Sequence, residues 1–228
     1  MFKRLYYIIA QRLYVLNRKT KPSQGKVYMF HKVADDGDVY AIRKENFVKV
    51  IDQLFKNRNI VDIETLLREK DPRNVVISFD DVYESVYFNA YPLLKEKDVP
   101  YYLFICDEFL NKDGYLSSKM VLEMLKDSKA IIGSHLDRHV MARFIERTDL
   151  EKGLSSSKKK LEEEFGVKVD CFAFPFGSMY ACSKEDIEMA KGYYDHIFMT
   201  YDLPYHEDYG NIIPRMNMND SVFEGKIK

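Results

Sequence analysis

Residues 76–83 read VISFDDVY, an apolar run that ends in two adjacent carboxylates, Asp80 and Asp81. The run has the length and residue types of a strand buried on both faces. Two like charges at its end are costly unless water, a cation or a reaction makes use of them. Six further runs share the character of this one: VYMFH (27–31), YYLFIC (101–106), AIIG (130–133), CFAFP (171–175), HIFMT (196–200) and IIPRM (212–216). Helical patterns separate most of them. Phe47, Val50, Ile51, Leu54 and Phe55 recur at helical spacing, and another helix runs through LLKEK with Pro92 breaking or kinking it. KMVLEMLKD and the 150–165 stretch, with Leu150, Leu154, Leu161 and Phe165 on one face, supply two more. Strands alternating with helices predict an α/β fold of parallel strands, either an open sheet or a (β/α) barrel.

In both architectures functional groups collect beyond the C-terminal ends of the strands. His31, Asp80, Asp81, His135 and the turn Pro175-Phe176-Gly177 all fall there. A solvated pair of aspartates no longer suffices as a reading of VISFDDVY.

The 228 residues are enough for one substantial domain with a large core. With 46% apolar and 31% charged residues, the composition is that of a globular chain, not a disordered or membrane-embedded one. A net charge of −1 offers no global attraction for nucleic acid, which excludes that partner class. The 17 Tyr and 15 Phe serve a core and also suit stacking on sugars. Cys106, Cys171 and Cys182 form no C-x-x-C pair, so neither a disulfide framework nor a cysteine zinc site is indicated. The charged run SSSKKKLEEE (155–164) reads as the solvated face of a helix.

The first residues, MFKRLYYIIAQRLYVLNRKTK, imitate a secretory signal, but Gln11 and Arg12 interrupt the apolar run after six residues. A signal needs about 7–15 apolar residues and a small-residue cleavage site, and a spanning helix roughly 20. The stretch reads instead as a basic amphipathic helix that packs on the domain or lies on an anionic membrane surface through residues 1–21. The domain reading is therefore 1–24, helix and linker, and 25–228, the barrel. Without an export signal, the expected location is cytoplasmic or peripheral at the inner face of the membrane.

GSHLDRHV places His135 and His139 four residues apart. In a helical turn that spacing puts both imidazoles on one face, where they can share a metal ion, although alone it is often a chance surface pair. An aspartate from the DD pair completes a three-ligand site with an open position, the pattern of catalytic zinc. The cation keeps the neighbouring carboxylate ionised and ready to accept a proton.

SFDD resembles the TFDD motif of the polysaccharide deacetylases (carbohydrate esterase family 4, NodB-like). GSHLDRH is similar to their H-[ST]-x-x-H, and FAFPFG (172–177) to their FAYPFG-type motif, in the same order along the chain. The resemblance runs from FHKV to IIPRMNM, all of the chain but the N-terminal helix. It implies a distorted (β/α) barrel of about seven strands and a metal-dependent carbohydrate deacetylase, a hydrolase of C–N bonds other than peptide bonds. The expected substrate is an N-acetylated sugar of a cell-surface glycan or of its lipid- or nucleotide-linked precursor. It further implies Asp80 as catalytic base, Asp81, His135 and His139 as ligands of one divalent metal (zinc, with cobalt or nickel as alternatives), and a Phe176 backbone N–H after Pro175 facing the oxyanion. Val82 stands where the family has Gly, Leu136 where it has Ser or Thr, and Ala173 where it commonly has Arg. No late L-x-H supplies a general acid; His31 and, second to it, His206 are the candidates, and Arg215 is the candidate to hold Asp80 ionised. Two other readings compete: a degenerate barrel that binds metal and glycan without turnover, and a metal hydrolase of O-acetyl esters.

Overall fold

The computed structural model describes residues 5–7, 9–13 and 22–222. Among the described residues, seven strands of three residues or more form the body of a parallel sheet: β1 (Lys26–Phe30), β2 (Asn74–Asp80), β3 (Tyr101–Ile105), β4 (Ala130–Ser134), β5 (Cys171–Ala173), β6 (His196–Met199) and β7 (Ile212–Pro214). Their spatial order is β7-β6-β5-β4-β3-β2-β1. After Arg215 the chain forms a two-residue strand, β8 (Met216–Asn217), which pairs with β1 on its free side, Met216 opposite Tyr28 and Asn217 opposite Met29. One short stretch, 212–217, thus touches both edges of the sheet and nearly closes it into a barrel. That closure decides between the two architectures left open by the sequence. All seven residues of β2 are buried, because neighbours flank it on both sides.

Among the described residues after the N-terminal helical segment, six helices accompany the strands: α1 (Lys44–Asn57), α2 (Ile63–Glu69), α3 (Tyr91–Glu96), α4 (Ser118–Asp127), α5 (Arg147–Phe165) and α6 (Lys184–Ala190). α1 buries Phe47, Val50, Ile51 and Leu54. Phe55, expected on that face, is instead 51% exposed, with the Lys97 ammonium 5.0 Å from its ring centre. Pro92 does not break a helix. It sits in the first turn of α3, where its missing N–H costs nothing, and the π-helical turn Val86–Ala90 leads into it. α2 and α6, seven residues each, are too short to show periodicity. Their caps were the available local signal: Asp62 accepts from the Thr65 N–H, and Ser183 with Asp186 forms a reciprocal box. On α5 the charged run is largely solvated, but Ser157 turns inward, its hydroxyl within 2.9 Å of Ser134 Oγ and 3.0 Å of Asp107 Oδ1.

A single apolar core extends from Val27 to Met218. The helical residues 5–7 and 9–13 rest against the barrel by one side, through Tyr7 and Gln11. Gln11 donates to the Thr200 carbonyl (3.1 Å) and accepts from the Met179 N–H (3.2 Å). Leu5, Tyr6, Ile9 and Leu13 remain exposed. The rest of the basic helix expected over residues 1–21 lies outside the described residues.

Candidate active site

β2 delivers Asp80 as its last residue, and the backbone then turns sharply. Asp81 and Val82 both adopt left-handed φ values, 60° and 47°, and the Val82 N–H donates to the Asp80 carbonyl at 2.6 Å. An i to i+2 turn of this hand is rare and strained. Left-handed backbone is a genuine outlier for β-branched Val82, whose fully buried side chain holds it in place. The turn brings neighbouring carboxylates, which would point to opposite faces of a strand, into one cleft of about 310 Å³.

Their surroundings differ. Asp80 is gripped by Arg215 through two parallel hydrogen bonds, Nη1 to Oδ1 at 2.5 Å and Nη2 to Oδ2 at 2.7 Å. Arg215 is wholly buried, at the point where 212–217 switches pairing from β6 to β1. Burial alone would raise the Asp80 carboxyl, but Arg215, joined by His135, outweighs it and holds the group below the ordinary value. Asp81 faces two imidazoles, with Oδ1 3.4 Å from His135 Nε2 and 3.2 Å from His139 Nε2. Burial again works against its ionisation, yet His135 and His139 bring the carboxyl down to about 2.

His135 and His139 meet at 5.4 Å between ring centres, but not on a helical turn as the spacing predicts. Residues 135–140 form an irregular loop, with Leu136 at φ 71° and fully buried. Ser134 supplies a hydroxyl that braces this loop, its Oγ accepting the Leu136 N–H at 3.3 Å. His135 Nδ1 lies 2.8 Å from the Ala173 carbonyl. A carbonyl only accepts, so Nδ1 carries a proton and Nε2 is the ring atom turned toward Asp81.

Asp81, His135 and His139 offer three ligand atoms all within 4.8 Å of one another, the one such group among the described residues. Asp81 Oδ1 is buried with no hydrogen bond. Burial would lower the His135 imidazole, but Asp80 and Asp81 raise it, so the carboxylates draw positive charge into this centre. A divalent cation answers the same demand. The N2O donor set fits zinc, cobalt or nickel.

The buried side-chain atoms lacking a partner among the described residues concentrate here: His31 Nδ1, Asp81 Oδ1, Arg215 Nε and Asn217 Oδ1, with only His196 Nδ1 elsewhere. His31, just after β1, lines the cleft and packs on Tyr40 at 5.6 Å. Burial lowers its imidazole, against the pull of Asp80 and Asp81. Phe176, exposed at the rim, has φ 63°, and Pro175 before it is buried. Gly177 (φ 46°) must be glycine, since a Cβ there would lie 2.5 Å from Thr200 Oγ1.

His206 does not belong to this group. A parallel connection from β6 to β7 has to return to the opposite end of the barrel, and by Tyr205 the chain is already there, exchanging backbone hydrogen bonds with Gln24 and Gly25 just before β1. His206 Nδ1 accepts the Asp208 N–H in that turn. The expectation that it sits on the active edge is corrected. Asn217, by contrast, lines the cleft and was missed. Its position two residues after Arg215 was the available signal, because alternate residues of an extended chain share a face.

A family model described as Polysaccharide deacetylase matches residues 68–194. Poly-beta-1,6-N-acetyl-D-glucosamine N-deacetylases of Staphylococcus aureus are 28% identical over 170 residues, covering 68% of this chain and 58% of theirs. The chain thus spans little more than half the length of these curated relatives. Among solved structures, IcaB from Ammonifex degensii superposes with a TM-score of 0.78 at 18% identity, covering 91% of this chain and 97% of that one. The polysaccharide deacetylase BC0361 from Bacillus cereus gives 0.75 at 22% identity, covering 90% and 69%. These two likenesses concern the fold. The family match spans most of the barrel and contains the DD turn, His135 and His139, and the Pro175-Phe176-Gly177 turn, so the chain belongs to the polysaccharide deacetylase family.

Proposed function

We propose that this chain is a metal-dependent de-N-acetylase acting on N-acetylated hexosamine in a cell-surface glycan or its precursor. The observation that carries the reading is the division of labour within one cleft: Asp81 with two histidines, and beside it a buried carboxylate held apart by its own arginine. The names of the Staphylococcus aureus relatives support a hexosamine substrate. Asp81, His135 and His139 would hold the metal, which supplies Lewis-acid polarisation of the acetamide carbonyl. Asp80, kept ionised by Arg215, accepts a proton from the attacking water as the water oxygen bonds to the carbonyl carbon. The Phe176 backbone N–H is the proposed donor to the carbonyl oxygen. His31, in the imidazolium form that Asp80 and Asp81 favour, is the proposed donor of the proton that the leaving nitrogen takes as the C–N bond breaks, giving acetate and a free amino sugar.

Acetate release from N-acetylglucosamine oligomers, compared in zinc-loaded and chelated protein, tests the reading. Metal-dependent release from the amide sustains it. Release only from O-acetyl esters reassigns the bond, and glycan binding without release reassigns the chain as a binding module.

The exposed Leu5, Ile9 and Leu13, four residues apart and accompanied in the sequence by Lys3, Arg4, Arg12 and Arg18, also support peripheral attachment to an anionic membrane. The protein is expected to sediment with phosphatidylglycerol vesicles and to be released as salt rises. A protein that ignores such vesicles removes this element.

A further inference from the structure

The substrate cleft does not end at Phe176. That ring lies 4.6 Å from His139 on the cleft side and also walls a second open groove of about 640 Å³. Tyr7, Phe144 and Tyr180 supply the groove's aromatic surface, and Gln11 and Ser178 its polar atoms. The Tyr180 ring is inclined to Phe144 at 5.3 Å and to Tyr7 at 6.0 Å.

One guanidinium holds this assembly rigid. Arg143 donates to the carbonyls of Tyr180 (3.0 Å), Met179 (2.9 Å) and Cys182 (2.8 Å), and to the Tyr7 hydroxyl (3.1 Å), with its carbon 4.3 Å from the Tyr7 ring centre. Gln11 fastens the same helical segment to Thr200, a cleft residue, and to Met179. A preorganised groove loses little entropy when a ligand enters. Yet Phe144 is 60% exposed and Phe176 46%, so two rings of this groove face solvent.

We propose that this groove is a second carbohydrate subsite, for the pyranose adjoining the N-acetylated residue in the cleft, and that the N-terminal helical segment completes it. The proposal rests on the de-N-acetylase reading and adds to it a preference for chains over single sugars. A pyranose has apolar C–H faces and a polar rim. Aromatic rings match the faces, and an amide and a hydroxyl match the rim. Gln11 is oriented by its two backbone partners and retains one amide N–H. Ser178 Oγ accepts the Ala181 N–H at 3.2 Å and retains its hydroxyl proton. Acyl chains would favour an unbroken aliphatic lining, and Leu5, Ile9 and Leu13 are not part of this one.

The test compares a β-1,6-linked N-acetylglucosamine tetramer with the monomer on the full chain, by acetate release. Calorimetric titration with the fully de-N-acetylated tetramer, which is not consumed, accompanies it. Phe144→Ala is expected to lower the tetramer-to-monomer ratio of kcat/KM by roughly fivefold or more and to weaken tetramer binding alike, while Phe144→Trp preserves both. The exposure of Phe144 allows both variants to fold. An unchanged ratio and unchanged titration in Phe144→Ala overturn the subsite. So does loss of binding to phosphatidylglycerol vesicles with tetramer binding intact, which gives the groove to a lipid surface. Tetramer binding that depends on Phe144 in a protein releasing no acetate keeps the subsite and overturns the de-N-acetylase reading instead.

Discussion

Two histidine–carboxylate pairs stand at opposite ends of this barrel. At the N-terminal end His196 Nε2 meets Glu64 Oε1 at 2.6 Å, and the Glu64 side chain is 70% exposed in the first turn of α2. At the other end His135 faces Asp81 at 3.4 Å, both side chains nearly inaccessible to water. Residue types alone do not separate them. The first pair is a hydrogen-bonded contact whose carboxylate is solvated, and only one of its atoms, His196 Nδ1, is left without a partner. In the second a further imidazole, a strained turn and an unpartnered carboxylate oxygen converge where water is scarce. A site is marked less by its residues than by how incompletely they satisfy one another.

The largest effects should fall on the cleft alone. His135→Ala is expected to remove bound metal and nearly all turnover, whereas His196→Ala leaves one metal per chain by elemental analysis. Retained metal in His135→Ala would make the ligand assignment wrong. Asp80→Asn sharpens the contrast within the cleft: metal stays while turnover falls roughly 10²–10⁴-fold, the range for loss of a general base. Equal metal loss in Asp80→Asn and Asp81→Asn would instead make the two joint ligands.

Next comes the cleft's internal ion pair. Arg215→Met leaves Asp80 a buried carboxylate without its partner, and urea unfolding should show a loss of about 3–5 kcal/mol. A loss under about 1 kcal/mol would mean that water reaches Asp80 and that its isolation from solvent has been misread. His31→Ala should then lower turnover at least about tenfold with metal content unchanged, consistent with loss of one proton donor. Insensitivity of turnover to His31 would send the search for a donor back to Asp80 itself.

The smallest effect belongs to the other end. Glu64→Gln removes a charge that is mostly solvated, so stability should change by about 1 kcal/mol or less. Turnover should not change at all. A larger loss in either would erase the distinction between the two pairs.

Seven strand runs, most of the helices and the order of the DD, H-x-x-x-H and P-x-G motifs were legible in the residues, because each is a local property. Buried strands need contiguous apolar residues, amphipathic helices repeat every three or four, and a chemical motif keeps its parts adjacent. His135, His139 and one aspartate of the DD pair could be singled out on that footing, as could His31 from its place at a strand end, whereas the choice of Asp81 over Asp80 came from the family resemblance. Local pattern failed where a residue's environment is set by distant chain. Phe55 continues the apolar spacing of α1, yet the core it would enter stops one residue short. His206 follows a strand that points toward the cleft, but the backbone has reversed before it arrives.

The remaining decisions belong to closure of the sheet. The sequence offered Arg215 as a candidate partner for Asp80, but it reaches Asp80 across 135 positions only because 212–217 joins β6 to β1. Left-handed backbone at Val82 and Leu136 runs against their local preference and persists because buried packing outweighs the strain. Tyr7 and Gln11 form one wall of the second groove because Arg143 and Thr200 happen to present donors and acceptors to them. The sequence by itself determined which elements form and which reactive groups gather at one edge, since short-range sterics and hydrophobic periodicity decide both. Tertiary structure decided which carboxylate is ion-paired, which is left for a cation, and which histidine stands outside, because those depend on contacts that exist only once the ends of the chain have met.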